Sequence, residues 1–427
     1  MAESKPSLLK SHDFMDREII QSPFKFYQAL RNEAPVYQLP KSPIPGKRVF
    51  VVSTYKLIRE DVLPDWKTYS NRFGALMGQT LSKDPEIAEI EAQGYEPVDT
   101  MLTEDPPAQR KYRSIVSPAF SMRRVAGWDA AIEQIANDLI DQFEQKGEAD
   151  FLKDFSIQLP IYVIADAIGV PRQDHKKIKG WADAAIAAIS RMQGRDAAIE
   201  SARASVEMQH YLVDLLEKRR QSPEDDILTI LVNAKFDEDR GLTNSEMLSI
   251  LRQLMIAGHE TTTNALGGGL VYILSEPGAQ AKFIETPDLL DNAVEEILRL
   301  EASTKGMWRI VNEDTTLGGV SLKQGDVLFL SYDSANRDEA VFENGDACQF
   351  DRSNASQHLS FGAGIHSCIG ALLAKKEMRI AFELLLTRLP NLRLTPGRNS
   401  LEYLESLLHR GFRSLHISFD APRAGQR

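Results

Sequence analysis

Apolar residues recur at helical spacing along most of the chain. Residues 127–146, 155–168, 193–220 and 244–275 carry them near a period of 3.6, which predicts amphipathic helices. IGALLAKKEMRIAFELLLTRL (369–389) does the same late in the chain. PVYQLP and RVFVVST (35–40 and 48–54) are instead alternating or β-branched, with the proline-rich KSPIPGK between them. They predict a hairpin with an irregular loop. Strand character returns in TTLGGVSLKQGDVLFLSY (315–332) and LHRGFRSLHISF (408–419). Residues 72–104 are polar and weakly periodic, which predicts a long loop with a short helix. Residues 1–20 are polar and expected to be loosely ordered. The sum is a mainly α protein with small β-sheets.

The run 243–275 is the longest periodic one. Thr243 and Glu246 form a capping-box pattern and Pro277 follows its end. Its length corresponds to about 48 Å of helix. Heptads are not sustained, so a central spar is expected rather than a coiled coil. AGHETTTN (257–264) interrupts its apolar middle with a glycine, an acid and three threonines. Threonine hydroxyls bond back to the preceding turn and loosen a helix. A local distortion turned toward a cavity is expected there; the alternative is a solvent-facing polar patch.

Composition narrows the function. The 427 residues are 43% hydrophobic, enough for a large core. A net charge of −11 without a basic stripe argues against nucleic acid. No window approaches a membrane-spanning apolar run, and MAESKPSLLKSHDF lacks the apolar core of a secretory signal. Cys348 and Cys368 are too few for a disulfide framework. A cytoplasmic protein is the expectation.

Cys368 lies in FGAGIHSCIG (361–370), at the start of the helix 369–389. A helix N-terminus favours thiolate. Gly362, Gly364 and Gly370 are expected to allow left-handed angles and close approach of a flat partner. The alternative is a buried structural cysteine, a description that suits Cys348 in DACQFD. Zinc needs more ligands at close spacing, and an iron–sulfur cluster needs more cysteines. A single thiolate suits haem, whose porphyrin supplies four donors.

FGAGIHSCIG resembles the haem-binding signature of the cytochrome P450 haem-thiolate monooxygenases. AGHETT (257–262) is similar to that family's oxygen-activating helix and EILR (296–299) to its glutamate-x-x-arginine motif. NRDEAVF (336–342) and DPPAQRKYR (105–113) match two further stretches in the right order, so the resemblance covers residues 22–419. It implies a bacterial-type member in which 21–427 form one domain, with a small β-rich part (35–60 and 300–332) and a large helical part. Haem would lie between the long central helix and the cysteine loop with the last helix.

The resemblance also implies roles. Cys368 is the expected axial iron ligand of haem b (iron protoporphyrin IX), with Phe361 packed beside it and Gly362 and Gly370 shaping the loop. His366, Arg113 and Arg309 are expected on the propionates. Gln109 stands where the family often has histidine, so that contact would carry no charge. Glu296, Arg299 and Arg352 are expected as a buried network beneath the cysteine loop. Glu260 and Thr261 resemble the acid–alcohol pair that delivers protons for oxygen activation. Gln253, Ala257 and Thr261 share one helix face; with Ile256 and Lys305 they are the expected substrate contacts. Lys305 either anchors a substrate carboxylate or snorkels to water. Residues 72–104, 181–195, 303–308 and LESLLH (404–409) are the expected pocket lining.

The implied reaction inserts one atom of O2 into an apolar terpenoid, aromatic, fatty-acid or steroid molecule. Electrons would come from NAD(P)H through a reductase and a ferredoxin or flavodoxin. Arg110, Lys111, Arg123, Arg124, Lys375, Lys376 and Arg379 form the expected docking site; ordinary solvated helix faces are the alternative. The rival functions are a peroxide-using haem-thiolate enzyme, a non-catalytic haem ligand-binding protein, and a cofactor-free helical scaffold.

Overall fold

A computed structural model describes residues 8–77, 82–190, 194–238 and 240–421. The central helix runs from Asn244 to Ser275. The capping box closes both ways: the Glu246 N–H donates to Thr243 Oγ1 (3.2 Å), and the Thr243 N–H donates to the Glu246 carboxylate (2.7 Å). The helix passes through AGHETTTN without a break, contrary to the expected distortion. Thr261 Oγ1 donates to the Ala257 carbonyl at 2.7 Å, a back-bond that helical geometry accommodates.

Gly268 and Gly269 let two further helices approach this spar closely. A Cβ on Gly268 would stand 2.6 Å from Glu301, just past the helix Leu289–Leu300; one on Gly269 would stand 2.7 Å from Phe382 of the last helix, Ala371–Arg388. Both glycines are therefore packing requirements rather than flexible points.

The hairpin pairs Val36 with Val52 and Gln38 with Phe50. It belongs to a five-stranded sheet ordered Val36–Gln38, Val49–Val52, Val327–Ser331, Gly306–Val311, Tyr69–Ser70. The second and third strands are buried at every position, as a sheet covered on both faces requires. Phe50, Val52, Leu328 and Leu330 enter one apolar cluster; Val49, Val51, Val327 and Phe329 enter another. That division follows from the two-residue period of a strand.

The second cluster also receives Phe14 and Ile19. Phe14 stands 5.9 Å from the Phe329 ring, centroid to centroid. Residues 8–20 are thus tied down by apolar packing rather than loose; residues 1–7 lie outside the described residues. In 408–419 only His416–Ser418 forms a strand, between Glu148–Asp150 and Arg393–Leu394. The residues before it turn back instead, making isolated bridges Thr304–His409 and Tyr403–Phe412. Within 72–104 the helix is Pro85–Glu91, and 78–81 lie outside the described residues. Among the described residues no helix is long and apolar enough to cross a membrane.

Candidate active site

The cysteine loop is built by its own backbone. The Cys368 N–H donates to the Phe361 carbonyl (2.8 Å) and the Ser367 N–H to the Gly364 carbonyl (3.1 Å). Gly362 and Gly364 take positive φ of 60° and 71°, angles that L side chains rarely adopt. Gly370 does not: its φ is −88°. A Cβ there would stand 4.0 Å from the Cys368 sulfur, an ordinary contact, so the protein atoms around it do not require glycine at this position. The Cys368 side chain is accessible, yet protein surrounds it closely, so it faces an interior space rather than bulk water. Burial pushes its thiol up, while the Gly370 amide, Arg113 and the Ala371 amide pull it down; the balance is raised. The two amides at the helix end act in the expected direction, and burial opposes them. A metal cation bound at the sulfur would favour the thiolate further.

Beneath the loop lies a buried ionic network. Arg299 donates Nε and Nη2 to the Glu296 carboxylate at 2.7 and 2.8 Å, and Arg352 Nε meets the same carboxylate at 3.0 Å. Glu296 and Arg299 have no exposed surface. Arg299 also donates to the carbonyls of Asn336 (2.8 Å), Gly345 (2.6 Å) and Ala347 (3.1 Å). Asn336 then accepts from the Leu359 N–H (2.6 Å) and donates to Ser360 Oγ (2.8 Å). The network reaches the residue before Phe361.

Two arginines gather around His366, and one of them, Arg113, also acts on the Cys368 sulfur. Arg309 is buried; its Nη1 donates to the neighbouring Trp308 carbonyl at 2.7 Å, and Tyr332 and Asp105 act on its charge. Arg113 is partly buried; burial lowers its pKa while the Cys368 charge raises it. His366 is pushed down to about 3 by burial and by the charges of Arg309 and Arg113, so its ring is neutral. Both His366 ring nitrogens are buried without a well-formed hydrogen bond. The Gln109 amide donates to the Ile365 carbonyl at 2.8 Å and braces the loop. The helix Ala108–Val116, which carries Gln109 and Arg113, is pinned to the central helix by Tyr112, whose hydroxyl donates to Glu246 at 2.7 Å.

On the central helix, Ala257 is exposed, Ile256 and Thr261 are partly so, and Gln253 is buried. Neither polar atom of the Gln253 amide has a partner. Glu260 is mostly buried and stands 3.1 Å from His409. His409 closes LESLLH (404–409), and nothing local in the sequence marks its pairing with Glu260. Lys305 is corrected on both expectations. It is 3% exposed, so it does not snorkel, and its ammonium donates to the Ser406 carbonyl at 2.7 Å. Burial brings it down to about 8. It braces the C-terminal loop from the end of the sheet. Of the expected lining, 78–81 and 191–193, and the side chains of 77, 182, 183 and 185–190, lie outside the described residues.

The expected docking cations are mostly neutralised by neighbours. Lys111 pairs with Asp237 and Arg124 with Asp225. Lys375 meets Glu295 at 2.8 Å, Lys376 meets Asp129 at 3.1 Å, and Arg379 meets Glu383 at 2.6 Å. Among the described residues Arg110 and Arg123 are exposed and make no ion pair. Met122 and Leu372 add exposed apolar surface.

The chain matches the family model Cytochrome P450 over residues 47–406. It is 33% identical over 377 residues to a biotin biosynthesis cytochrome P450 of Bacillus subtilis (strain 168), covering 88% of this chain and 91% of the relative. It is 31% identical over 422 residues to a vitamin D(3) 25-hydroxylase of Pseudonocardia autotrophica, covering 97% and 98%. The crystal structure of a Bacillus megaterium P450 in complex with corticosterone superposes with a TM-score of 0.80 at 29% identity, covering 94% of this chain and 99% of that one.

Proposed function

Because this chain belongs to the cytochrome P450 family of haem monooxygenases, we propose that it hydroxylates or epoxidises an apolar small molecule with haem b bound at Cys368. The observation that carries the proposal is the convergence of Arg309 and Arg113 on the neutral His366, two residues before Cys368, with Arg113 also acting on the sulfur. The fit to haem is chemical. Among the described residues no three His, Cys, Asp or Glu gather as a metal site, so a metal here must bring its own donors, as a porphyrin does. A buried guanidinium without a carboxylate is costly, and a propionate provides one. Arg309 and Arg113 would hold the propionates by charge and His366 by a neutral N–H.

When bound, haem supplies oxygen activation, and a thiolate ligand favours cleavage of the O–O bond. The protein's part is positional. Thr261 already donates its proton to the Ala257 carbonyl, so its hydroxyl is an acceptor toward the interior and can hold a water there. Glu260 is the adjacent acid. Ala257 leaves room for substrate, and the unpartnered Gln253 amide asks for one polar group on an otherwise apolar molecule. The molecules named with its relatives and structural neighbours are a vitamin D, a steroid and a fatty acyl chain carried on acyl carrier protein, so both polycyclic and fatty-acyl substrates have support.

Two tests separate the levels of this reading. The reduced protein with carbon monoxide should show a strongly red-shifted Soret band; a band at the position of histidine-ligated haem overturns it. A panel of steroids, terpenoids and fatty acids should then give a spin-state shift for at least one class, and the class that shifts identifies the substrate; no shift from any member overturns the apolar-substrate reading. Thr261→Ala is expected to bind substrate unchanged but lower product formed per NAD(P)H by about tenfold, with peroxide accumulating. Tight coupling in that variant refutes the role of the hydroxyl.

Electrons would arrive through a ferredoxin-type carrier on the cysteine side. Arg110→Glu should slow reduction by an acidic carrier at low salt, and the difference should vanish at high ionic strength. Equal rates at low salt show that docking there does not use charge.

A further inference from the structure

His409 fixes the surroundings of Glu260. Its ring Nδ1 stands 3.1 Å from Glu260 Oε2, with both side chains less than one-fifth exposed. The ring is off the line of a full hydrogen bond, so the contact is an ion pair whenever His409 is protonated. The loop that carries it is held on three sides. The His409 N–H donates to Ser406 Oγ (3.1 Å), Thr304 bridges it by backbone, and the Lys305 N–H donates to the Leu408 carbonyl (2.8 Å).

We propose that His409 is a positioning residue that keeps Glu260 ionised at rest and reloads it with a proton during turnover. The inference rests on the monooxygenase reading above. The step is one proton transfer: the His409 Nδ1–H bond breaks, a Glu260 O–H bond forms, and the two charges cancel. Glu260 then releases that proton on the Thr261 side of the helix, and His409 regains one from solvent. No electron moves between these residues.

The neighbouring charges leave His409 to this task. Arg410 is held by Glu301 at 3.2 Å, and Lys305 by the Ser406 carbonyl, with Asp333 acting on both cations. His259, on the same helix as Glu260, adds a smaller charge effect. Burial pushes the Glu260 carboxyl up; His409 by contact and charge, then His259, outweigh it and bring it below the ordinary carboxylate value. Imidazole is the side chain suited to exchanging a proton near neutral pH.

The test uses the resting holoprotein and its infrared carboxyl bands, with Glu260→Gln identifying the Glu260 signal. In His409→Phe the protonated Glu260 band should persist at least about one pH unit higher than in the wild type. His409→Gln, which keeps a polar contact without charge, should fall between, and it carries the test if the phenylalanine variant does not fold. In turnover both variants should lower kcat with KM unchanged and raise the solvent isotope effect. A Glu260 titration unmoved in His409→Gln overturns the proposal, as does a changed KM with an unchanged isotope effect. The titration needs no turnover, so its failure leaves the haem-thiolate reading standing. Failure of that reading shows separately, in the reduced carbon monoxide spectrum.

Discussion

Cys368→Ala is expected to abolish the red-shifted reduced carbon monoxide band completely while leaving the chain folded. The loop does not depend on the sulfur. Its closing bond runs from the Cys368 amide to the Phe361 carbonyl, and alanine keeps that amide. The side chain is accessible rather than wedged into the core, so truncation costs no more than about 1 kcal/mol. The matched control is Cys348→Ala. That thiol is pushed up to about 12 by burial and by the charge of Glu296, and it lies outside the glycine loop 361–370. Its removal should leave the band in place. Absorption spectra and thermal melts of both variants decide the matter. A wild-type band in Cys368→Ala would remove the axial ligand from this account.

Glu296→Ala is expected to destabilise the protein by about 3–5 kcal/mol, a large share of a typical domain's stability. The carboxylate neutralises Arg299 and Arg352, and all three are buried. Its loss leaves two guanidiniums in the interior without an anion, and water cannot reach them cheaply. The effect should extend beyond stability. Arg299 holds the carbonyls of Asn336, Gly345 and Ala347, and Asn336 holds the segment just before Phe361. The folded fraction of Glu296→Ala should therefore release haem faster than the wild type. Glu296→Gln, which keeps the shape and loses the charge, should fall between. Denaturant titration and haem transfer to an acceptor protein measure both effects; a loss below about 1 kcal/mol would show that the network does not hold the loop.

The sequence by itself determined the local features. The central helix begins and ends where Thr243, Glu246 and Pro277 place it, because capping and proline chemistry act within one turn. The hairpin and the helix after Cys368 were legible for the same reason: each rests on a short-range period. Glu296 and Arg299, three residues apart, could be paired from the sequence, and Arg352 was named from a motif.

Tertiary structure alone decided the long-range partners. Lys111, Lys375 and Lys376 read as a basic surface until the fold set Asp237, Glu295 and Asp129 against them. Lys305 read as substrate-facing or snorkelling until the C-terminal loop buried it. Gln109 turned to a loop carbonyl, and His409 came to Glu260 from the far end of the chain. Residues 8–20 are polar on average, yet Phe14 and Ile19 found an apolar sheet face to cover. In each case the missing information was an approach between segments distant in sequence. Burial and Coulomb energy depend on that approach, and no short window of residues encodes it.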